Sequence, residues 1–198
     1  TFWMDERAKW SDGVPITAAD VQWTFDAIMN PKNLTGVHRV ALETFERPVI
    51  VDDHTIKFTA REVHWRNLGA AGGFPVLPSH VFAGRDFNAL NFDFPVVSGP
   101  YRLGAMKENV SLQMARRPDW WADAKPWNWH LLNFDVVEYR FFSDPENAWD
   151  AFRKGLFDYY PVYTARIWVQ ETHGERFDRN WIVKRAIRNQ APVGFQGF

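Results

Sequence analysis

Not one cysteine occurs in the sequence. That removes disulfides, thiolate metal sites and thiol nucleophiles together, and it leaves the redox compartment open, because a cysteine-free chain suits an oxidising or a reducing one equally. A surplus of charge is missing too. The chain carries 23 Lys and Arg against 24 Asp and Glu, so nothing in its balance would draw a polyanion, and nucleic acid is not an expected partner. No apolar run approaches the roughly 20 residues that a membrane-spanning helix requires. Residues 1–7 lack the charged start and apolar stretch of an export signal, so neither a span nor an export signal is expected in the chain.

What is plentiful is apolar and aromatic. Hydrophobic residues make up 46% of the 198 positions, enough for the core of one large domain or two small ones. The 11 Trp stand out among them. Buried aromatics mostly fill cores, yet Trp and Tyr also grip the apolar parts of a ligand at little cost in side-chain entropy.

Catalytic and metal chemistry should leave residues at particular spacings. The six histidines, His38, His54, His64, His80, His130 and His173, never fall four apart as on one helix face, nor two apart as on one strand face. Ser98-Gly99-Pro100 has no glycine two places before the serine, and its proline removes an N–H that an oxyanion hole would use. Asp86, Asn88 and Asp93 hint at a calcium loop but lack its central glycine and closing glutamate. The small residues 69–73 are followed by no phosphate-binding Lys-Ser or Lys-Thr pair, and Asp52-Asp53 is explained as turn chemistry. No catalytic residue, metal site or cofactor is therefore assigned.

The order of elements reads as mixed α and β. Thr17-Ala18-Ala19-Asp20 is a capping box opening a helix with Val21, Phe25, Ile28 and Met29 on one face, closed at Asn30-Pro31. Residues 49–51 and 55–58 flank the turn at residues 52–54 and predict a hairpin. Residues 69–80 read as a loop, with a turn starting at residues 78–80. A second hairpin is predicted from the alternation of Tyr101, Leu103 and Ala105, then Val110, Leu112 and Met114. Asp144-Pro145 caps a helix over residues 145–154 that stops at Gly155. That helix is placed between strands at residues 134–141 and 157–160 of one mixed sheet. A further helix is expected over residues 164–173, ended by Gly174, and a strand over residues 181–187. Both chain ends read as interrupted, without caps or polar tails.

Residues 8–21, Ala-Lys-Trp-Ser-Asp-Gly-Val-Pro-Ile-Thr-Ala-Ala-Asp-Val, resemble the most recognisable motif of the family 5 solute-binding proteins, the peptide and nickel receptors of ABC importers. Further resemblance follows in order at residues 49–59, at Ser98-Gly99-Pro100-Tyr101-Arg102-Leu103, at Arg116-Arg117-Pro118-Asp119-Trp120-Trp121, and at residues 134–140, 144–151 and 155–158. Residues 74–82 and 190–198 look most like the YejA-like branch, associated with oligopeptides, murein-derived peptides and microcin C.

The resemblance implies a partial type II periplasmic-binding-protein-like fold of class α/β. Residues 5–93 would be the extra subdomain of the first lobe, and residues 94–198 part of that lobe ending near the hinge, with the second lobe absent. It implies a periplasmic receptor, not an enzyme, with a peptide ligand and membrane permease subunits as partners. Ligand contacts would come from Val193, Gly194, Phe195, Gln196 and Gly197, where the glycines admit close backbone approach, and from Gly73 and Phe74 on the subdomain side. An ordinary strand end and a flexible surface loop are the competing readings of those two segments. An oligosaccharide receptor of the same family, served by the many Trp, and a glycoside or peptide hydrolase are the alternative functions. With one side of a cleft only, the chain is expected to bind ligand weakly and to self-associate through uncovered apolar surface.

Overall fold

The structure is a computed structural model that describes residues 1–89 and 96–186. It divides into two compact units, Thr1–Arg140 and Phe141–Phe198.

The first unit begins with a small α/β assembly. Strands β1 (Phe2–Trp3), β2 (Val49–Asp52) and β3 (Thr55–Lys57) form an antiparallel sheet in the order β1-β3-β2. The hairpin of β2 and β3 turns at residues 53–54, as the acidic turn predicts. Helix α1 (Ala18–Met29) starts at the capping box: the Thr17 N–H donates to Asp20 Oδ2 at 3.1 Å. It buries Ala18, Val21, Phe25 and Ile28 against the sheet and against α2 (Gly36–Leu42). Phe58 is the hub of that core. Its ring meets those of Phe2, Phe25, Phe45 and Phe74 edge to face, at centroid distances of 5.7 to 6.3 Å, an arrangement the aromatic quadrupole favours.

Of the loop expected over residues 69–80, residues 74–78 are irregular but residues 69–73 are helical. They lie in α3 (Asn67–Gly73), followed by the single turn α4 (Ser79–Phe82). The small side chains that suggested flexibility serve close packing instead. Ala71 is buried in the phenylalanine core, and a Cβ on Gly72 would sit 3.1 Å from the Phe2 ring.

Beyond Val96 the first unit continues as β4 (Tyr101–Lys107), β5 (Ser111–Arg116) and β6 (Val136–Arg140), an antiparallel sheet in the order β4-β5-β6. The second predicted hairpin is therefore present, with Asn109 in the left-handed region (φ 57°) at its turn. Every strand pairing among the described residues is antiparallel, so the mixed sheet is not found.

In the second unit α5 (Pro145–Arg153) is capped as expected. Asp144 accepts hydrogen bonds from the Glu146 and Asn147 N–H groups. At the other end the Gly155 N–H donates to Phe152 O and the Leu156 N–H to Ala151 O, with Gly155 at φ 77°, which is the paired closure that favours glycine. Residues 157–160 form no strand. The rings of Phe157 and Tyr160 turn back onto Phe152, and Tyr160 also meets the buried Trp149. A short apolar run cannot by itself reveal whether it will pair as a strand or pack as a cluster. The expected helix over residues 164–173 is present mainly as a π-helical stretch, Ile167–Glu171. Gly174 (φ 98°) opens the short α6 (Glu175–Asp178) rather than ending the helix before it. Residues 181–186 form no strand, having no strand partner among the described residues, and Ile187 lies outside them. The expected boundary between residues 93 and 94 also lies outside the described residues.

Candidate functional site

A dense polar constellation in the first unit is built by the motif at residues 8–21. Gly13 adopts φ 89°, closing a turn in which its N–H donates to Trp10 O and the Trp10 N–H donates to Val14 O. The turn brings Trp10 back over the start of α1, where its indole N–H donates to Asp20 Oδ2 at 3.3 Å. Asp20 is 4% exposed. Its other oxygen accepts from the Ser79 N–H at 3.0 Å and from the Ser79 hydroxyl at 2.6 Å. Four donors thus converge on one buried carboxylate, the condition under which a buried charge is tolerated.

Around this centre the same turn holds two further segments. His80 Nε2 lies 2.7 Å from Asp12 Oδ2. Partial burial pushes the Asp12 carboxyl up, but the hydrogen bonds from His80 and from the Val14 N–H outweigh it and leave the group below the usual carboxylate range. Ser11 exchanges two hydrogen bonds with Val97, its N–H donating to Val97 O at 2.8 Å and its Oγ accepting from the Val97 N–H at 3.1 Å. Arg117 is 3% exposed and donates to the carbonyls of Val97 and Gly99, while the Trp120 indole N–H donates to Ser98 O. Residues 97–100 are thereby gripped from both sides. Arg117 also holds the Asp119 carboxyl below its usual range, and Asp5 is held well below it by Arg7 and then by Lys125.

This arrangement can position backbone but is poorly made for acyl transfer. The Ser79 hydroxyl donates to Asp20, and His80 is engaged by Asp12, so serine and histidine belong to separate pairs rather than to a nucleophile and its base. Among the described residues no group of three His, Asp or Glu could hold a metal ion. No helix among them is long and apolar enough to cross a membrane.

Of the residues the sequence nominates as ligand contacts, Gly73 is exposed at the end of α3, with open space where a Cβ would stand. Phe74 follows it, half-buried, its ring against Phe58. Val193, Gly194, Phe195, Gln196 and Gly197 lie outside the described residues. The structural weight of Asp20 and Arg117 was not legible in advance. The available signal was a carboxylate at the third position of a helix that begins just after a tryptophan turn.

The sequence model of the bacterial extracellular solute-binding proteins, family 5 middle region, matches residues 1–194. The chain belongs to that family. Similar proteins include YejA of Escherichia coli, 28% identical over 189 residues that cover 95% of this chain and 31% of YejA. The peptidoglycan-binding protein YepA of Agrobacterium fabrum is 29% identical over 205 residues, covering 99% of this chain and 33% of YepA. Among solved structures, the oligopeptide-binding protein AppA of Bacillus subtilis, in complex with a nonapeptide, superposes with a TM-score of 0.68. It is 18% identical, over 85% of this chain and 33% of AppA, and so speaks for the fold alone. This family 5 chain spans about a third of the length of the curated relatives it matches. Family and fold are those of substrate-binding proteins, which are not enzymes.

Proposed function

We propose that this chain is part of the extracytoplasmic receptor of an ABC importer, and that the receptor captures oligopeptides, murein-derived peptides among them, for delivery to membrane permease subunits. The observation that carries this reading is the match of the family 5 model along residues 1–194. Support for a peptide ligand comes from the nonapeptide bound to the similarly folded AppA, and support for a murein-derived one from the peptidoglycan-binding name of YepA. Microcin C-like peptides are a further ligand class of the same chemistry. The extracellular character of the family supports a periplasmic location. In this reading Val193, Gly194, Phe195, Gln196 and Gly197 line the ligand with backbone, an aromatic wall and an amide, and Gly73 and Phe74 approach it from the subdomain.

The receptor binds and releases its ligand unchanged, and no residue of this chain is given a catalytic role. Calorimetric titration of the full-length receptor with di- to nonapeptides and murein tripeptide tests the proposal. Saturable peptide binding, weakened by Phe195→Ala and Gln196→Ala, is the expected result. Binding of none of these ligands, or turnover of any of them, would overturn it.

A further inference from the structure

Within the second unit, the last turn of α5 and the segment that opens α6 line a cleft of about 440 Å³. This volume lies within the range of about 300–1,000 Å³ usual for small-molecule sites.

The charges around the cleft do not cancel. Asp150 accepts a hydrogen bond from Arg153 of its own helix, and Glu175 pairs with Arg179, which stands outside the lining, at 2.9 Å. Both acids are thereby neutralised. Two cations are left over. Arg176 gives one N–H to the carbonyl of Arg153 at the end of α5 but meets no carboxylate among the described residues, and the Lys154 ammonium has no partner of any kind among them. The end of a helix carries only about half a negative charge, so the contact of Arg176 with α5 leaves most of this excess in place. His173, on the same lining, also makes no side-chain hydrogen bond among the described residues.

We propose that this cleft binds a phosphate monoester. Such a group carries a charge of about −1.5 to −2 near neutral pH, which matches two uncompensated cations as a single carboxylate does not. The Arg176 guanidinium is anchored through one N–H and keeps the rest of its planar fork for phosphate oxygens. The His173 ring adds a further N–H donor. Half-buried Phe177 and Ile182 supply the apolar part of the lining, against which the organic part of the ester rests. None of the residues nominated as peptide contacts belongs to this cleft, so the site goes beyond the receptor reading above.

The test is a nuclear magnetic resonance titration of the chain with phenyl phosphate and with benzoate at constant ionic strength, following the backbone amides of Gly174 and Arg176. Phenyl phosphate should give a saturable shift and bind at least five-fold more tightly than benzoate, which offers the same ring with one charge. Lys154→Gln removes a side chain without contacts and should weaken phenyl phosphate roughly five-fold, the upper end for one exposed ion pair. Arg179→Gln should also weaken it, because the Glu175 charge is then released, and Glu175→Gln should strengthen it. Lys107→Gln, an exposed site in the first unit, should change nothing. Sedimentation with phosphatidylcholine vesicles, with and without phosphatidate, separates a lipid headgroup from a soluble ester as the source. No saturable shift with phenyl phosphate, equal binding of benzoate, or binding indifferent to both Lys154→Gln and Arg179→Gln would overturn the proposal.

Discussion

Asp20 shows how a single residue in a linear motif acts across the fold. It stands at the third position of α1, yet two of its four donors belong to Ser79, far along the chain. Asp20→Asn keeps the shape but substitutes an N–H₂ for an acceptor facing donors. The expected cost is about 2 kcal/mol or more, since hydrogen bonds to a charged group contribute about 1.5–3 kcal/mol and a buried group left unmatched costs as much again. Urea denaturation of the variant checks this; an unchanged midpoint would mean that the four contacts are dispensable. Asp12 makes a different prediction, one of pH. Its folded pKa lies below the ordinary value, so its stabilising contribution is present above the unfolded carboxylate pKa of about 4 and is lost as pH falls through the folded value. The stability gap between the parent and Asp12→Asn should therefore be open at neutral pH and close in acid. A gap that stays constant from pH 7 down to full protonation would count against the His80 contact as its source.

At the scale of elements, α3 and α5 contrast. The α5 ends carry Asp144 and Gly155, whose local roles are visible in any sequence, and the structure places both where capping requires. Helix α3 has weak local signals, because glycine is a poor helix former. Its glycines divide by what surrounds them. Gly73 is helical with open space at its Cβ position, so Gly73→Ala should stabilise by about 0.5 kcal/mol through the unfolded state. Gly72 faces the Phe2 ring, so Gly72→Ala must push that ring or the helix and should be less stable than Gly73→Ala. Thermal melts of the two variants give the order, and the reverse order would remove close packing on β1 as the reason for α3's composition. The same Gly73→Ala protein tests the ligand role: undiminished stability with weakened peptide binding in the full-length receptor would place the backbone at Gly73 near the ligand.

At the scale of the whole molecule, each unit exposes large apolar side chains. Trp65, Trp127 and Trp129 do so in the first, and Tyr163 and Trp181 in the second. A ligand gains most when buried from two sides, and this chain covers about a third of its relatives. Calorimetry with one peptide should therefore show the full-length receptor binding at least 100-fold more tightly than the isolated chain, about 2.7 kcal/mol. Sedimentation of the chain alone should show association through its uncovered surface. Equal affinities would place the whole peptide site within these 198 residues.

The sequence by itself determined what depends on neighbours along the chain: the caps of α1 and α5, the turns at Asp53 and Asn109, the two hairpins, and the family motif of residues 8–21. Those signals are short-range, because caps and turns satisfy backbone groups within a few residues. Tertiary structure decided what depends on distant partners. The glycine-rich residues 67–73 become a helix because Phe2 and the phenylalanine core accept it, and residues 157–160 become an aromatic cluster because Phe152 and Trp149 are within reach. Asp20 becomes a buried centre because Ser79 is folded onto it, and Trp23 faces a cleft because residues 82–88 stand opposite. Burial and long-range hydrogen bonding are properties of the packed chain, and no local pattern encodes which distant atoms will meet.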